Sequence, residues 1–335
     1  MAALRVGIDV SPLAQTRAGT ARYINELTSA LEGEIGVDLR RYGFGGPGRA
    51  AAALRDAVWY PVLLPARAQR DGAAVLHCPT FRAPLRSTAP LVVTFHDLAV
   101  LRYPEAFNRW TRQYSAVTLP RIARTAAAIV AVSGFTKSEV VELLNVSPEK
   151  VRVIPNAVAP SFRPEGPVSE GDYVLAVSTL EPRKNLQMLA DAFAAADLDD
   201  SELRIVGARG WGGIEVNGDR VRYLGFVPDD ELASLYRGAR CVAYVSRYEG
   251  FGLPVLEALA CGAAVVAADL PPIREFADGA AITVDPADRD AIAAGLEQAA
   301  ARRGELSARG PGVAAPYSWS RTAAETLAVY REVAG

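Results

Sequence analysis

The sequence contains few of the residues that form disulfides and metal sites. Its 335 residues include three cysteines and two histidines. Cys78, Cys241 and Cys261 are odd in number and widely separated, so neither a disulfide framework nor a zinc site is expected. The sequence also has no Walker loop and no Gly-x-Ser-x-Gly nucleophile turn.

Long apolar runs are absent as well. No apolar stretch approaches the about 18 residues that a membrane-spanning helix needs. The start of the chain, MAALRVGIDVSP, passes directly into a predicted strand and lacks the features of a signal peptide. With 50% hydrophobic and 22% charged residues, the composition is typical of a soluble globular protein. We therefore expect a cytoplasmic location.

Length and charge suggest two parts. At about 100 to 200 residues per domain, the chain should form two domains. Residues 1–160 hold 19 Lys and Arg against 12 Asp and Glu, whereas residues 161–335 hold 17 against 26. A basic first half is compatible with an anionic partner. A helix predicted at residues 105–126, kinked near Pro120, adds a basic face that could contact the inner face of a membrane peripherally, although a solvated face is the simpler alternative. The arginines of that face are Arg109, Arg112, Arg121 and Arg124.

Alternating apolar segments predict an α/β fold. Thr20 is predicted to cap a helix whose apolar residues Ile24, Leu27 and Leu31 recur at helical spacing. Gly43 to Gly48 matches Gly-x-Gly-x-x-Gly, but it follows a polar strand and contains a proline, so we interpret it as a loop and not as a dinucleotide site. The strands predicted in the first half cover residues 4–10, 37–40, 73–77, 91–95, 127–132 and 151–154.

Both histidines lie at the ends of predicted strands. His96 and Asp97 come at the carboxyl end of the strand at 91–95, where open α/β sheets form ligand sites. A lone histidine is more often structural, and this is the preferred interpretation for His77. For His96 we favour a role in a site.

The most informative stretch is RYEGFGLPVLEALACG, residues 247–262. Predicted strands at 241–245 and 263–267 flank a helix at 254–260, so the segment forms a β-α-β unit. Glu249 lies in the loop, and Glu257 is predicted in the first helical turn, near the amides of Phe251, Gly252 and Leu253. A helix start at the end of a parallel strand favours a phosphate, and carboxylates beside it can accept hydrogen bonds from sugar hydroxyls. The alternative is a solvated turn in which Glu257 complements the helix dipole.

A second cluster of candidates lies at residues 179–185, TLEPRKN. It follows the predicted strand at 173–178 and precedes an apolar helix. Arg183 and Lys184 would thus stand beside a helix start at the end of a strand, an arrangement suited to a pyrophosphate. Surface cations are common, so the pattern alone does not decide between a site and a solvated loop.

The segment from Glu249 to Glu257, with GFGLPVLEA, resembles the signature of the retaining glycosyltransferases of family four, and the resemblance extends over the whole chain. It implies the GT-B fold, an α/β architecture of two facing Rossmann-like domains with a deep interdomain cleft. The implied acceptor-binding domain covers residues 1–160, and the nucleotide-sugar-binding domain covers residues 161–318. A C-terminal helix at 319–335 is expected to pack back toward the first domain.

The resemblance also implies roles for individual residues. His96 would meet the transferred sugar, and Glu-Pro-Arg-Lys-Asn would be the phosphate-binding loop, although Ser178 stands where some relatives carry a further arginine. The family's usual glycine pair over the phosphates is reduced here to Gly19. The implied catalytic residues are His96, Arg183, Lys184 and Glu249, and the implied donor-binding residues are Gly19, Arg209, Val227, Phe251, Gly252, Leu253 and Glu257.

The function that follows is transfer of a hexose from a nucleotide-diphosphate sugar to a glycan or lipid-linked acceptor, with GDP-mannose as the preferred donor. Neither a cofactor nor a nucleic-acid partner is expected. Two Asp-x-Asp matches, at 197–199 and 288–290, do not follow an apolar strand, so no metal is expected. The alternatives are a nucleotide-sugar epimerase or hydrolase of the same fold and a non-catalytic nucleotide-sugar binding protein.

Overall fold

The structure is a computed structural model that describes residues 3–15, 19–46, 48–198, 200–210 and 213–335. Within these ranges, no helix is both long enough and apolar enough to cross a membrane. Contacts divide the chain into two units. The first comprises Met1–Asn156 and Trp319–Gly335, and the second comprises Ala157–Ser318. The division thus comes slightly earlier in the chain than the boundary expected after residue 160.

The first unit contains a parallel sheet with the strand order β2-β1-β3-β4-β5-β6. The central strands β3, β4 and β5 are buried at every position, as expected for a parallel sheet covered on both faces. The order reverses between β1 and β3, which makes their carboxyl ends a topological switch point, the place where such sheets bind ligands. The strands are β1 (Leu4–Asp9), β2 (Val37–Tyr42), β3 (Val75–Cys78), β4 (Leu91–Phe95), β5 (Ala128–Ala131) and β6 (Val151–Val153).

Helices cover this sheet. Ile24, Leu27 and Leu31 of α1 are all fully buried, which confirms the predicted apolar face. The C-terminal helix α13 belongs to this unit and packs against α1. A π-helical segment, Arg55–Leu63, joins α2 to α3. The helices are α1 (Gly19–Glu32), α2 (Arg49–Leu54), α3 (Leu64–Arg70), α4 (Ala99–Arg102), α5 (Arg109–Thr125), α6 (Gly134–Leu144) and α13 (Trp319–Ala334).

The second unit repeats the parallel design, with the strand order β12-β11-β10-β7-β8-β9. Here the order reverses between β7 and β10, so the switch point lies at their carboxyl ends. The strands are β7 (Tyr173–Val177), β8 (Glu202–Val206), β9 (Val221–Gly225), β10 (Cys241–Tyr244), β11 (Val265–Ala268) and β12 (Ile282–Val284). The helices are α7 (Leu186–Ala195), α8 (Asp229–Gly238), α9 (Leu253–Ala260), α10 (Pro271–Ala277), α11 (Arg289–Ala301) and α12 (Arg303–Ala314).

Two local predictions were wrong. Thr20 is the second residue of α1 and therefore does not cap it. The helix expected to start at residue 105 starts at Arg109, because Asn108 caps it by accepting a hydrogen bond of 2.9 Å from the amide of Thr111.

In the loop that matches Gly-x-Gly-x-x-Gly, the described residues Gly43–Gly46 have no regular structure, and Pro47 lies outside the described residues.

Candidate active site

The strongest candidate site lies at the switch point of the second unit. The loop after β7 carries Arg183 and Lys184 in a short 3-10 turn, Pro182–Lys184, immediately before α7. The loop after β10 carries Glu249 and leads into α9. Since β7 and β10 are neighbouring parallel strands, the two loops emerge side by side. Topology thus brings together residues that are about 65 positions apart in the sequence.

Glu249 accepts hydrogen bonds from both neighbouring cations. Nζ of Lys184 lies 2.6 Å from its Oε1, and Nη1 of Arg183 lies 3.3 Å from its Oε2. Lys184 also donates to the hydroxyl of Tyr244 at 3.1 Å, and Arg183 donates from Nη2 to Oε1 of Glu181 at 2.8 Å. The site therefore contains two cations and two carboxylates in alternating contact.

Glu249 is ionised in this setting. Its burial opposes the charge, but the charges of Lys184 and Arg183 outweigh that effect and lower the pKa of Glu249 to about 2. Burial raises the pKa of Tyr244 well above its ordinary range, so its hydroxyl stays protonated. The carboxylate can therefore accept hydrogen bonds from ligand hydroxyls at any physiological pH.

Asn185 fastens the two loops together, a role that the sequence analysis did not assign. Its backbone is in the left-handed region with φ +60°, which asparagine tolerates better than most residues. Its Nδ2 donates to the carbonyls of Val245 at 3.2 Å and Pro286 at 2.7 Å, and its Oδ1 accepts from Nε of Arg247 at 3.1 Å. The one sequence feature that could have indicated this role is an asparagine directly before an apolar helix. At that position an asparagine usually indicates only a helix cap.

Glu257 does not lie where the sequence placed it. Helix α9 begins at Leu253, so Glu257 belongs to its second turn and not to its first. The side chain is buried, and its Oε2 accepts a hydrogen bond of 3.2 Å from the hydroxyl of Tyr236.

The amide of Leu253 is at the helix start, after Gly252, whose φ of +99° favours glycine. The ring of Phe251 stacks on Phe276 at 5.2 Å.

The glycine-rich turn after β8 has a packing role. A Cβ on Gly207, where φ is +150°, would lie 2.0 Å from the carbonyl oxygen of Ser178. The glycine therefore lets this turn lie against the loop after β7. Arg209 is exposed in the same turn, and Val227 is buried after β9. Trp211 and Gly212 lie outside the described residues.

In the first unit, the two histidines have different environments. Nε2 of His96 donates to the carbonyl of Pro79 at 3.0 Å, and its ring meets the ring of Tyr23 edge-on at 4.7 Å. Burial lowers the pKa of His96, so the neutral ring is favoured. His77 is fully buried between Thr94, at 2.8 Å, and the hydroxyl of Tyr330 on α13, at 2.5 Å. His77 is thus part of a structural network.

Gly19 is the first described residue of α1, and residues 16–18 lie outside the described residues. Among the residues that the structure describes, a Cβ on Gly19 would meet no atom within 4 Å, so its described surroundings are open. This leaves room for a ligand, but contacts in the fold do not require a glycine there.

Neither aspartate pair forms a recognisable metal site in the described part of the chain, where no three His, Cys, Asp or Glu side chains cluster suitably. Asp288 caps α11, because its Oδ1 accepts from the amides of Asp290 at 2.9 Å and Ala291 at 3.0 Å. Asp199 lies outside the described residues.

Comparison with known proteins identifies the family. The model for Glycosyltransferase Family 4 matches residues 5–162, and the model for Glycosyl transferases group 1 matches residues 159–309. The chain is also 32% identical to the O-antigen chain mannosyltransferase B of Escherichia coli, over 85% of this chain and 77% of that protein. The chain belongs to the family-four glycosyltransferases.

Solved structures agree with the fold of this glycosyltransferase. The sucrose-phosphate synthase of Thermosynechococcus elongatus matches with a TM-score of 0.79 and 18% identity, covering 98% of each chain. Alr3699/HepE of Anabaena, determined in complex with UDP and glucose, matches with a TM-score of 0.74 and 19% identity, covering 97% of this chain and 100% of that one. Together with the two parallel sheets, these similarities show that this glycosyltransferase has the two-domain GT-B fold.

Proposed function

We propose that this glycosyltransferase transfers mannose from GDP-mannose to a glycan or lipid-linked acceptor and retains the anomeric configuration of the donor. The observation that carries the proposal is the cluster of half-buried Arg183 with buried Lys184 and Glu249 at the switch point of the second unit. The choice of mannose is supported by the similarity to a mannosyltransferase. UDP in the complex of Alr3699/HepE makes UDP-sugars the donors to test against GDP-mannose.

In this proposal, Arg183 and Lys184 hold the diphosphate of the donor. Without ligand, both cations contact Glu249, so a bound diphosphate would compete with this carboxylate for them. As the bond to the anomeric carbon breaks, negative charge grows on the leaving phosphate. The two cations then stabilise the transition state more than the bound donor, which is the condition for an increase in rate.

The carboxylates would bind the rest of the donor. Glu249 stays ionised and would accept hydrogen bonds from hydroxyls of the sugar. Glu257 would bind the ribose, and the amides of Phe251, Gly252 and Leu253 would approach the donor at the start of α9. Gly19, Arg209 and Val227 are the further donor contacts that the family resemblance implies.

The first unit would bind the acceptor, with His96 meeting the transferred sugar. Retention fits attack from the face that the phosphate leaves, with the departing phosphate helping to remove the acceptor proton. Two cations beside the start of α7 would neutralise the diphosphate, so we propose that no metal ion is required.

Peripheral contact with a membrane is part of the proposal for lipid-linked acceptors. Helix α5 exposes Trp110 and Val117, with 59% and 52% of their surfaces accessible, next to exposed arginines of the same helix. Apolar side chains together with cations favour binding to anionic lipid surfaces.

Thermal unfolding with a panel of nucleotide sugars tests the donor assignment. A ligand that binds only the folded state raises the unfolding temperature, and the rise grows with affinity. We expect GDP-mannose to give a larger rise than GDP-glucose, UDP-glucose or UDP-galactose at equal concentration. A larger rise with a UDP-sugar would contradict the choice of donor, and no rise with any member would contradict the donor site itself.

A further inference from the structure

Arg55 is a buried cation in the first unit. It is the first residue of the π-helical segment, and its side chain is 0% exposed. Among the residues that the structure describes, none of its three guanidinium nitrogens has a hydrogen-bond partner. A guanidinium has five N–H donors, and a buried charge without partners is strongly destabilising. Packing alone does not explain this arrangement.

Asp9, whose charge acts on Arg55, already accepts hydrogen bonds from other side chains. It accepts hydrogen bonds from the hydroxyl of Ser11 at 3.0 Å, from Nε1 of Trp59 at 3.1 Å and from the hydroxyl of Tyr60 at 3.2 Å. These neighbours fix the carboxylate at the end of β1, so it compensates Arg55 only through space.

Asp56, the second carboxylate that acts on Arg55, is occupied in the same way. It forms an ion pair with Arg82, and its Oδ2 lies 3.4 Å from Nε1 of Trp110. Both acids therefore have donors of their own, and the donors of Arg55 remain available to a group from outside the fold.

The position of Arg55 also favours a ligand. Trp59 and Tyr60 of the same π-helical segment donate to Asp9, which ends β1 at the switch point of the first sheet, where α/β sheets bind ligands. Segments of π-helix are rare and occur frequently at functional sites. Here the π-helical geometry holds Arg55, Trp59 and Tyr60 on the buried side of the segment.

The loop that packs beside the guanidinium of Arg55 is rich in glycine. A Cβ on Gly45, where φ is +81°, would lie 3.9 Å from Nη1 of Arg55. Two described contacts hold the loop Gly43–Gly46: the ring of Phe44 stacks on Trp59 at 5.1 Å, and Nη1 of Arg67 donates to the carbonyl of Gly43 at 3.3 Å. To reach Arg55, a ligand would have to displace this short loop and break these two contacts.

We propose that Arg55 is a binding site for an oxoanion of the acceptor, a phosphate or a carboxylate, which enters when the Gly43–Gly46 loop is displaced. The planar fork of a guanidinium matches two oxygens of either group. Binding would supply the partners that Arg55 lacks in the free protein. The inference rests on the proposed role of the first unit in acceptor binding, and it specifies the chemical class of that acceptor.

Thermal unfolding of the full chain at constant ionic strength tests the site without any transfer reaction. Inorganic phosphate, compared with chloride, should raise the unfolding temperature of Lys184→Ala, in which binding at the proposed donor site is weakened. The double variant Lys184→Ala with Arg55→Met should lose this rise. Acetate in place of phosphate distinguishes the two anions, because the stronger ligand gives the larger rise.

The single variant Arg55→Met should unfold without phosphate at the same temperature as the wild type or higher, because an apolar side chain replaces an unpaired buried charge. An unfolded or less stable Arg55→Met variant would show that the guanidinium stabilises the fold itself and would overturn the inference. A rise with phosphate or acetate that survives Arg55→Met would overturn it as well.

Kinetics connect the site to the acceptor. For an acceptor glycoside that carries a phosphate, Arg55→Met should raise the acceptor KM by about 10- to 100-fold, the loss expected for hydrogen bonds to a charged group. The donor KM and the KM for the same glycoside without phosphate should not change. If wild-type protein transfers sugar and both acceptors respond equally, the inference is wrong. If it transfers no sugar at all but the anion-dependent stabilisation is present, the proposed function fails while the anion site remains.

Discussion

Lys184 donates a hydrogen bond of 2.6 Å to Glu249, and the two residues lie on loops that follow the neighbouring strands β7 and β10. Each residue needs the other in the free protein, because both side chains are about nine-tenths buried. A ligand with a diphosphate and sugar hydroxyls offers both of them new partners. In the proposed function, donor binding would therefore be coupled to the stability of the two loops through this pair.

The first prediction concerns the cations. Lys184→Ala and Arg183→Ala should each lower kcat by about 10²- to 10³-fold, more than they weaken donor binding, because the lost charge matters most at the leaving phosphate. Arg302→Ala removes an exposed cation that pairs with Glu305 and should leave kcat unchanged. Steady-state kinetics of each variant measure the change in kcat, and circular dichroism checks that each variant is folded. Unchanged kcat in both site variants would refute the phosphate assignment.

The second prediction separates the two glutamates. Glu257→Ala should weaken the binding of GDP. Glu249→Ala should weaken the binding of GDP-mannose more than the binding of GDP, because only the complete donor carries the sugar. Calorimetry with both ligands measures the difference. Tyr236→Phe is the matched control for Glu257, since it removes the hydrogen bond of 3.2 Å to Glu257 and keeps the carboxylate. Equal losses for GDP and GDP-mannose in both glutamate variants would show that the division of roles is wrong.

The third prediction concerns pH and stability. Burial first, and then the nearby His96, lower the pKa of His77 from 6.5 to about 3. A histidine whose pKa is depressed in the folded state contributes stability that is complete above pH 6.5 and is lost as the pH falls toward 3. Over that range it should remove about 1.4 kcal/mol of unfolding free energy per pH unit.

Denaturant titrations at several pH values test this contribution. His77→Gln should be less stable than the wild type at pH 7, because the contacts with Thr94 and Tyr330 change. Its stability should nevertheless fall less steeply below pH 6.5, because glutamine does not titrate. Parallel pH dependences of the two proteins would mean that His77 does not control the acid response.

Much of the fold could be predicted from the sequence because parallel strands are short, apolar and buried. The segment Leu91–Phe95 was predicted with its observed bounds. For the neighbouring strands, the predicted and observed bounds differ only at the strand ends. The end of a strand is set by its hydrogen bonds and not by the hydrophobicity of its residues. Start positions of helices were less predictable. Thr20 failed as a cap because the helix already includes Gly19, and α5 starts late because Asn108 provides the better cap.

The site was predictable to a similar extent. Arg183, Lys184 and Glu249 were candidates because of their positions after strands and because of the family resemblance, and the structure places them in contact. The link from Asn185 to Pro286 depends on a contact between residues 101 positions apart, which no local pattern contains. The same holds for Arg55, whose burial depends on the π-helical segment and the loop at Gly45.

The most direct test of the account is the stereochemistry of the product formed in the presence of EDTA. GDP-mannose, an α-linked donor, is incubated with a mannose-terminated acceptor in excess EDTA, and the new linkage is assigned by NMR. We predict an α-linked product at an unchanged rate, because in the proposed function two cations and the start of α7 take the place of a metal ion at the diphosphate. A β-linked product would contradict retention, and activity that disappears in EDTA and returns with Mg²⁺ would contradict metal-independent transfer.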